Sequence, residues 1–150
     1  MSFKPFLAYS ASAGSGKTFA LSVRYISLLF MGESPSAILA ATFTNKAAAE
    51  MRQRVVDSLR GLADKSNEAF TDAICIETEL SREALLQKQP EVLARFLASS
   101  SYIVTLDSFF SSILRSASLE IGLEPDFVTK EQGENEFEKH FLEEVQTAGL

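Results

Sequence analysis

Residues 6–10 (FLAYS) form a short apolar run that gives way to small residues over 11–16 and then to a dense apolar stretch over 18–30. That order predicts strand, glycine loop and buried helix. Gly32 suits the C-terminal cap of this helix, and Pro35 cannot extend it. A second short run, residues 37–42 (AILAAT), predicts a second strand. Beyond it Ala48, Met51, Val55, Leu59 and Leu62 recur at three- and four-residue spacing, the stripe of a helix with one buried face. Strand, helix, strand, helix predicts a parallel sheet with right-handed crossovers.

Residues 64–98 are rich in Glu, Ala, Leu and Gln without strand-like alternation, and predict two inserted helices broken near Gln89 and Pro90. Residues 102–106 (YIVTL) predict a third strand. Asp107 or Ser108 then suits the cap of a helix that buries Phe109, Phe110, Ile113, Leu114 and Ala117. A break over 122–127 precedes an acidic helix over 131–145, with Phe137, Phe141, Leu142 and Val145 on one side. So few strands read as the front of something longer than a free-standing doubly wound sheet.

With 150 residues, 46% of them hydrophobic, the chain suits one domain with a real core. A lone cysteine, Cys75, excludes a disulfide framework and a cysteine zinc site and reads as a small core residue. No apolar run reaches the roughly 18 residues of a membrane span, and no basic leader opens the chain, so a soluble, cytoplasmic protein without a membrane partner is expected. The net charge of -6 is unevenly placed. Residues 1–60 hold Lys4, Lys17, Arg24, Lys46, Arg52, Arg54 and Arg60 against Glu33, Glu50 and Asp57 only, which leaves an anion-binding front half ahead of an acidic rear. The one histidine, His140, falls in the acidic helix and reads as a surface or half-buried helical position, not a catalytic one.

The octet Ala11, Ser12, Ala13, Gly14, Ser15, Gly16, Lys17, Thr18 fits the Walker A pattern GxxxxGK(S/T), with Ala11 where the first glycine is usual. A phosphate cradle needs successive backbone N–H groups turned inward, hence small residues and unusual backbone angles. The helix that follows presents free N–H groups and its positive dipole end to the same anion. In that pattern Lys17 reaches the β and γ phosphates and Thr18 Oγ1 ligates magnesium, so ATP and Mg2+ are the expected cofactors, with Lys17 and Thr18 as catalytic residues. Kinases, GTPases and motor ATPases share such a loop. A small-molecule phosphotransferase and a non-enzymatic nucleotide-binding module therefore stand beside a motor at this point.

Thr42, Phe43, Thr44, Asn45 and Lys46 close the second strand with polar, aromatic and basic groups, at the sheet edge where open α/β folds bind ligands. The polar side chains can contact phosphates and Phe43 can stack on a base, which suits single-stranded nucleic acid. Spacing alone equally allows Thr44 to be a helix cap and Phe43 a core residue. Arg52, Arg54 and Arg60 read either as a phosphate track or as solvated helix charges. The Phe109 and Phe110 pair falls on the periodic apolar face and reads as core.

The octet followed by ILAATFTNKAAAEMRQRV closely resembles motifs I and Ia of the UvrD/Rep superfamily 1 DNA helicases, and its ASAGSGKT form is most similar to the RecB/AddA branch. TLDSFFSSILR resembles the next motif of that family, which places Thr105 against DNA, and GLEPDF resembles the exit into the 1B subdomain. The resemblance runs from about residue 7 to 127 with the motifs in order. It implies an incomplete P-loop NTPase (RecA-like) parallel sheet with inserted helices: residues 1–127 as the N-terminal part of domain 1A, residues 128–150 as the start of helical 1B. It further implies 3'-5' ATP-dependent translocation on single-stranded or duplex DNA, double-strand-break repair, and a partner subunit of a helicase-nuclease complex. Residues 1–10 hold no glutamine of the kind that reads adenine in UvrD and Rep, and Asp107 stands where the family more often has histidine. The DExx motif, the later arginine motifs and the second RecA-like domain have no counterpart in the 150 residues, so the chain alone is expected to be inactive as an ATPase.

Overall fold

The computed structural model describes residues 6–8, 16–118, 120, 122 and 124. Along them run α1 (Lys17–Phe30), β1 (Leu39–Thr42), α2 (Asn45–Arg60), a 3-10 turn (Lys65–Asn67), α3 (Glu68–Thr78), α4 (Arg82–Ala98), β2 (Tyr102–Thr105) and α5 (Leu106–Ala117). The chain divides into two compact units, Met1–Phe109 and Phe110–Leu150. The first carries a mixed α/β arrangement in which β1 and β2 pair in parallel, Leu39 opposite Tyr102 and Thr42 opposite Thr105. A parallel pair demands a long crossover, and α2, α3 and α4 supply it.

One core holds this unit together. Val23, Ile26 and Leu29 of α1 meet Met51, Val55 and Leu59 of α2, and Ile74, Leu85 and Phe96 of the crossover helices close the cluster against Ala40 and Ile103 of the strands. The α1 terminus is the one its sequence predicts. Gly32, at φ 105, turns the chain so that its N–H donates to Leu29 O at 3.2 Å and that of Glu33 to Leu28 O at 3.0 Å. Cys75 is half-buried against the same core.

Several expectations are corrected. The inserted helices break at residues 79–81, not near Gln89 and Pro90: Glu79 adopts a left-handed conformation (φ 58) that ends α3, and Ser81 accepts a hydrogen bond from Ala84 N–H at 3.2 Å to start α4. Pro90 lies inside α4. A proline there costs about 3 kcal/mol, but Leu85 before it and Val92 and Phe96 after it share one buried face, each worth roughly 1.5–3 kcal/mol. Burial on both sides of the proline carries the helix through it.

Residues 6–8, expected to begin a strand, pair with no strand among the described residues, and Phe6 is 92% exposed. The other half of that run, Tyr9 and Ser10, lies outside the described residues. Phe110, Ile113 and Leu114 of α5 are also exposed where the sequence predicts burial. Amphipathic spacing predicts this helix correctly, but spacing does not fix how much of the apolar face is covered. The cap of α5 is neither Asp107 nor Ser108: Thr105 Oγ1 accepts from Ser108 N–H at 3.1 Å. Asp107 is exposed in the first turn, where a negative charge suits the helix dipole. The acidic helix over 131–145 with His140, and the 1B start at 128–150, lie outside the described residues.

Candidate functional site

Of the predicted phosphate loop, Ala11, Ser12, Ala13, Gly14 and Ser15 lie outside the described residues. The end of the loop is described. Gly16 caps α1 in the left-handed region (φ 81, ψ 6), and its carbonyl accepts from Ala20 N–H at 3.0 Å to close the first turn. A side chain would meet nothing within 4 Å at Gly16, so backbone angle, not space, requires glycine there. Lys17 opens the helix and Thr18 follows, both exposed, and the first turn of α1 carries no acidic residue. A cation, a hydroxyl and a helix N-terminus without carboxylates make a donor set that fits a magnesium–triphosphate group. Ser22, fully buried one turn on, donates to Thr18 O at 2.8 Å and lies 3.9 Å from Met51 Sδ, which seats this end of α1 on α2.

The second set of residues lies at the C-terminal edge of the parallel strands. Thr42 ends β1 and donates from Oγ1 to Thr44 O at 3.0 Å, tightening the turn. Thr44, extended at φ -131, accepts from Ala47 N–H at 3.1 Å and is the N-cap of α2. Between these two threonines Phe43 projects with 86% of its surface exposed, which removes the core alternative for this ring. Asn45 and Lys46 occupy the first turn of α2, both exposed. Lys46 Nζ stands 3.9 Å from a Glu50 carboxylate oxygen, an i,i+4 pair so open to water that it restrains the lysine little.

Thr105 pairs with Thr42 in register, so the structure brings the two predicted segments to one edge. Its role there differs from that of its neighbours. Thr105 is only 6% exposed, and its hydroxyl donates to Ser108 Oγ at 2.8 Å while capping α5. A phosphate contact by that side chain would take the proton now donated to Ser108 Oγ, and the cap, in which the oxygen accepts, could persist.

The sequence leaves Arg52 between a phosphate track and a solvated charge, and the structure shows an exposed residue that also has two partners within the protein. Its guanidinium lies 5.5 Å from the centroid of the Phe96 ring and donates from Nη1 to Ser101 Oγ. Phe96 in turn meets Tyr25 of α1 edge to face, centroids 6.1 Å apart. These partners lie far apart along the chain, so no local pattern points to them.

Residues 4–148 match the UvrD/REP helicase N-terminal domain, nearly the whole chain. The chain belongs to the UvrD/REP helicase N-terminal domain family. Individual relatives agree with that placement. An ATP-dependent helicase/nuclease "A" subunit from Clostridium perfringens is 35% identical over 136 residues, 89% of this chain. Proteins of the same description from Exiguobacterium sibiricum and Clostridioides difficile are 34% and 33% identical over 83% and 85% of it. The chain spans about 9% of the length of these relatives. Within the UvrD/REP family assignment, the turn bearing Phe43 and the start of α1 are the two surfaces that chemistry singles out. Among the described residues no helix is long and apolar enough to cross a membrane, and no cluster of His, Cys, Asp and Glu forms a separate metal site.

Proposed function

We propose that this chain is the nucleotide-binding, strand-gripping part of an ATP-dependent DNA helicase of superfamily 1A, with a P-loop, RecA-like fold. The carrying observation is the exposed Phe43 at the edge of a parallel sheet, between threonines whose hydroxyls hold the turn that presents it. Exposing an aromatic ring on so firm a turn favours stacking on an unpaired base. Asn45 and Lys46, beside it in the first turn of α2, reach the adjoining phosphates, and Thr105 secures the edge from beneath.

At the other surface Lys17 would hold the triphosphate and Thr18 the magnesium ion, with the backbone from Ala11 to Gly16 as cradle. The nucleotide so bound supplies the phosphoryl group whose transfer to water powers movement. The relatives' description as helicase/nuclease subunits supports DNA as the substrate and assembly with a second polypeptide. Movement in the 3'-5' direction, double-strand-break repair and a cytoplasmic setting complete the proposal, the first two resting on the resemblance of motifs I and Ia to the RecB/AddA branch. Calorimetry of the chain with ATP and magnesium tests the first surface: wild type should bind and Lys17→Ala should bind far more weakly, since no other side chain of the loop carries a positive charge. Equal affinity of the two proteins would overturn the assignment.

A further inference from the structure

Arg52 sits on α2, the helix whose first turn carries Asn45 and Lys46, and it reaches to the root of β2, the strand whose far end is Thr105. Two contacts define it. The guanidinium covers the ring of Phe96 of α4, and it donates to Ser101 immediately before β2. Phe96 is fully buried and Tyr25 nearly so, so the platform under the arginine is rigid, although Arg52 itself lies at the surface. We propose that Arg52 is a positioning residue of the single-strand contact edge, clamping α2 against the root of β2 so that Phe43, Asn45 and Lys46 keep their place relative to Thr42 and Thr105.

The chemistry of the clamp is specific to arginine. A planar guanidinium stacks on an aromatic face while its edge donates a hydrogen bond, whereas an ammonium does one or the other at a given position. The neighbouring basic residues differ in this respect: Lys46 pairs with exposed Glu50 on its own helix, and Arg54 lines an open polar cleft with Glu50, Gln53 and Asp57. Arg52 joins α2 to α4 and to the strand entry. The inference rests on the DNA-binding reading above, and a direct phosphate contact by the same arginine is the rival it must exclude.

Binding of a fluorescent oligothymidylate to the 150-residue chain, followed by anisotropy over a series of salt concentrations, separates these cases. Wild type should bind with salt-dependent affinity; if it does not bind, both the DNA reading and this inference fall. Given binding, Arg52→Ala should weaken it roughly five-fold, the size expected for losing the cation–π and hydrogen-bond linkage, and Arg52→Lys roughly two-fold, since an ammonium keeps one of the two. The slope of log affinity against log salt should stay that of wild type, because the number of phosphates contacted is unchanged. Ser101→Ala should reproduce part of the loss, and magnesium–ATP affinity should be unaffected in all three. The proposal is overturned if Arg52→Lys binds like wild type, or if the slope falls by about 0.7, the signature of one lost phosphate contact on a single strand. It is equally overturned if DNA and nucleotide affinity fall together, which would mark a general loss of structure.

Discussion

A phenylalanine held out of the core forgoes roughly 1.5–3 kcal/mol of burial, and Phe43 forgoes it on a turn built from two threonine hydrogen bonds. Replacing it should therefore cost the fold little and the ligand much. Phe43→Ala is expected to lose about 1–3 kcal/mol of single-strand affinity, with little dependence on base sequence and an unchanged urea midpoint; normal DNA binding by the folded variant would count against the stacking role. Tyr25 is the opposite case. Its hydroxyl is buried without a hydrogen-bond partner among the described residues, and burial, opposed in part by the Arg52 charge, pushes its pKa from 10.0 to about 12. The folded state thus prefers the neutral phenol. The contribution to stability is whole below pH 10 and is lost as pH rises from there through about 12, because the unfolded chain ionises first. Tyr25→Phe should show a flatter decline in urea midpoint across that window, and an identical decline would mean that other groups dominate it.

Among the elements, α4 does more than fill the crossover. Arg95 Nη2 donates to Leu29 O at the end of α1 at 2.5 Å, and Gln89 Nε2 donates to Leu59 O at the end of α2 at 2.6 Å. Two side chains from one helix thereby satisfy terminal carbonyls of two others. Its own start depends on Ser81, and on Glu83, whose carboxyl is held below its ordinary pKa by its own backbone N–H and then by Ser81. Removing the cap in Ser81→Ala should lower stability by about 1 kcal/mol. Pro90→Ala should act in the other direction, raising stability by about 1–2 kcal/mol and the urea midpoint with it, since it restores a helical N–H and loses only part of that gain to a freer unfolded chain. A destabilising Pro90→Ala would mean that the proline bends α4 into a shape its packing requires.

For the whole molecule the question is what a bound nucleotide would meet. Both described strands end in threonine, Thr42 and Thr105, and neither carries a carboxylate. Phosphoryl transfer needs such a group and, in related systems, arginines that contribute roughly 10³ to 10⁵ in rate. The purified 150-residue chain should accordingly bind magnesium–ATP without turning it over, with or without DNA. A phosphate-release assay checks this, and turnover abolished by Lys17→Ala would mean that the chain holds a water-orienting group its motifs do not disclose.

The elements α1, α2, α5 and both paired strands are legible in the sequence because each is specified locally: an apolar stripe at helical spacing, a run of small apolar residues, a glycine able to take φ 105 after α1. The family is legible for a related reason, since motifs I and Ia pack their chemistry into contiguous segments. Local signals place the break between α3 and α4 at Pro90 because proline is a strong one, but burial of Leu85, Val92 and Phe96 is a tertiary quantity and outweighs it. Phe43 and Thr105 show the same division. Sequence places both near a ligand edge; only packing exposes the one to 86% and buries the other to 6% while committing its hydroxyl to α5. The linkage from Arg52 through Phe96 to Tyr25 joins residues with no local relation, so tertiary structure alone decides it.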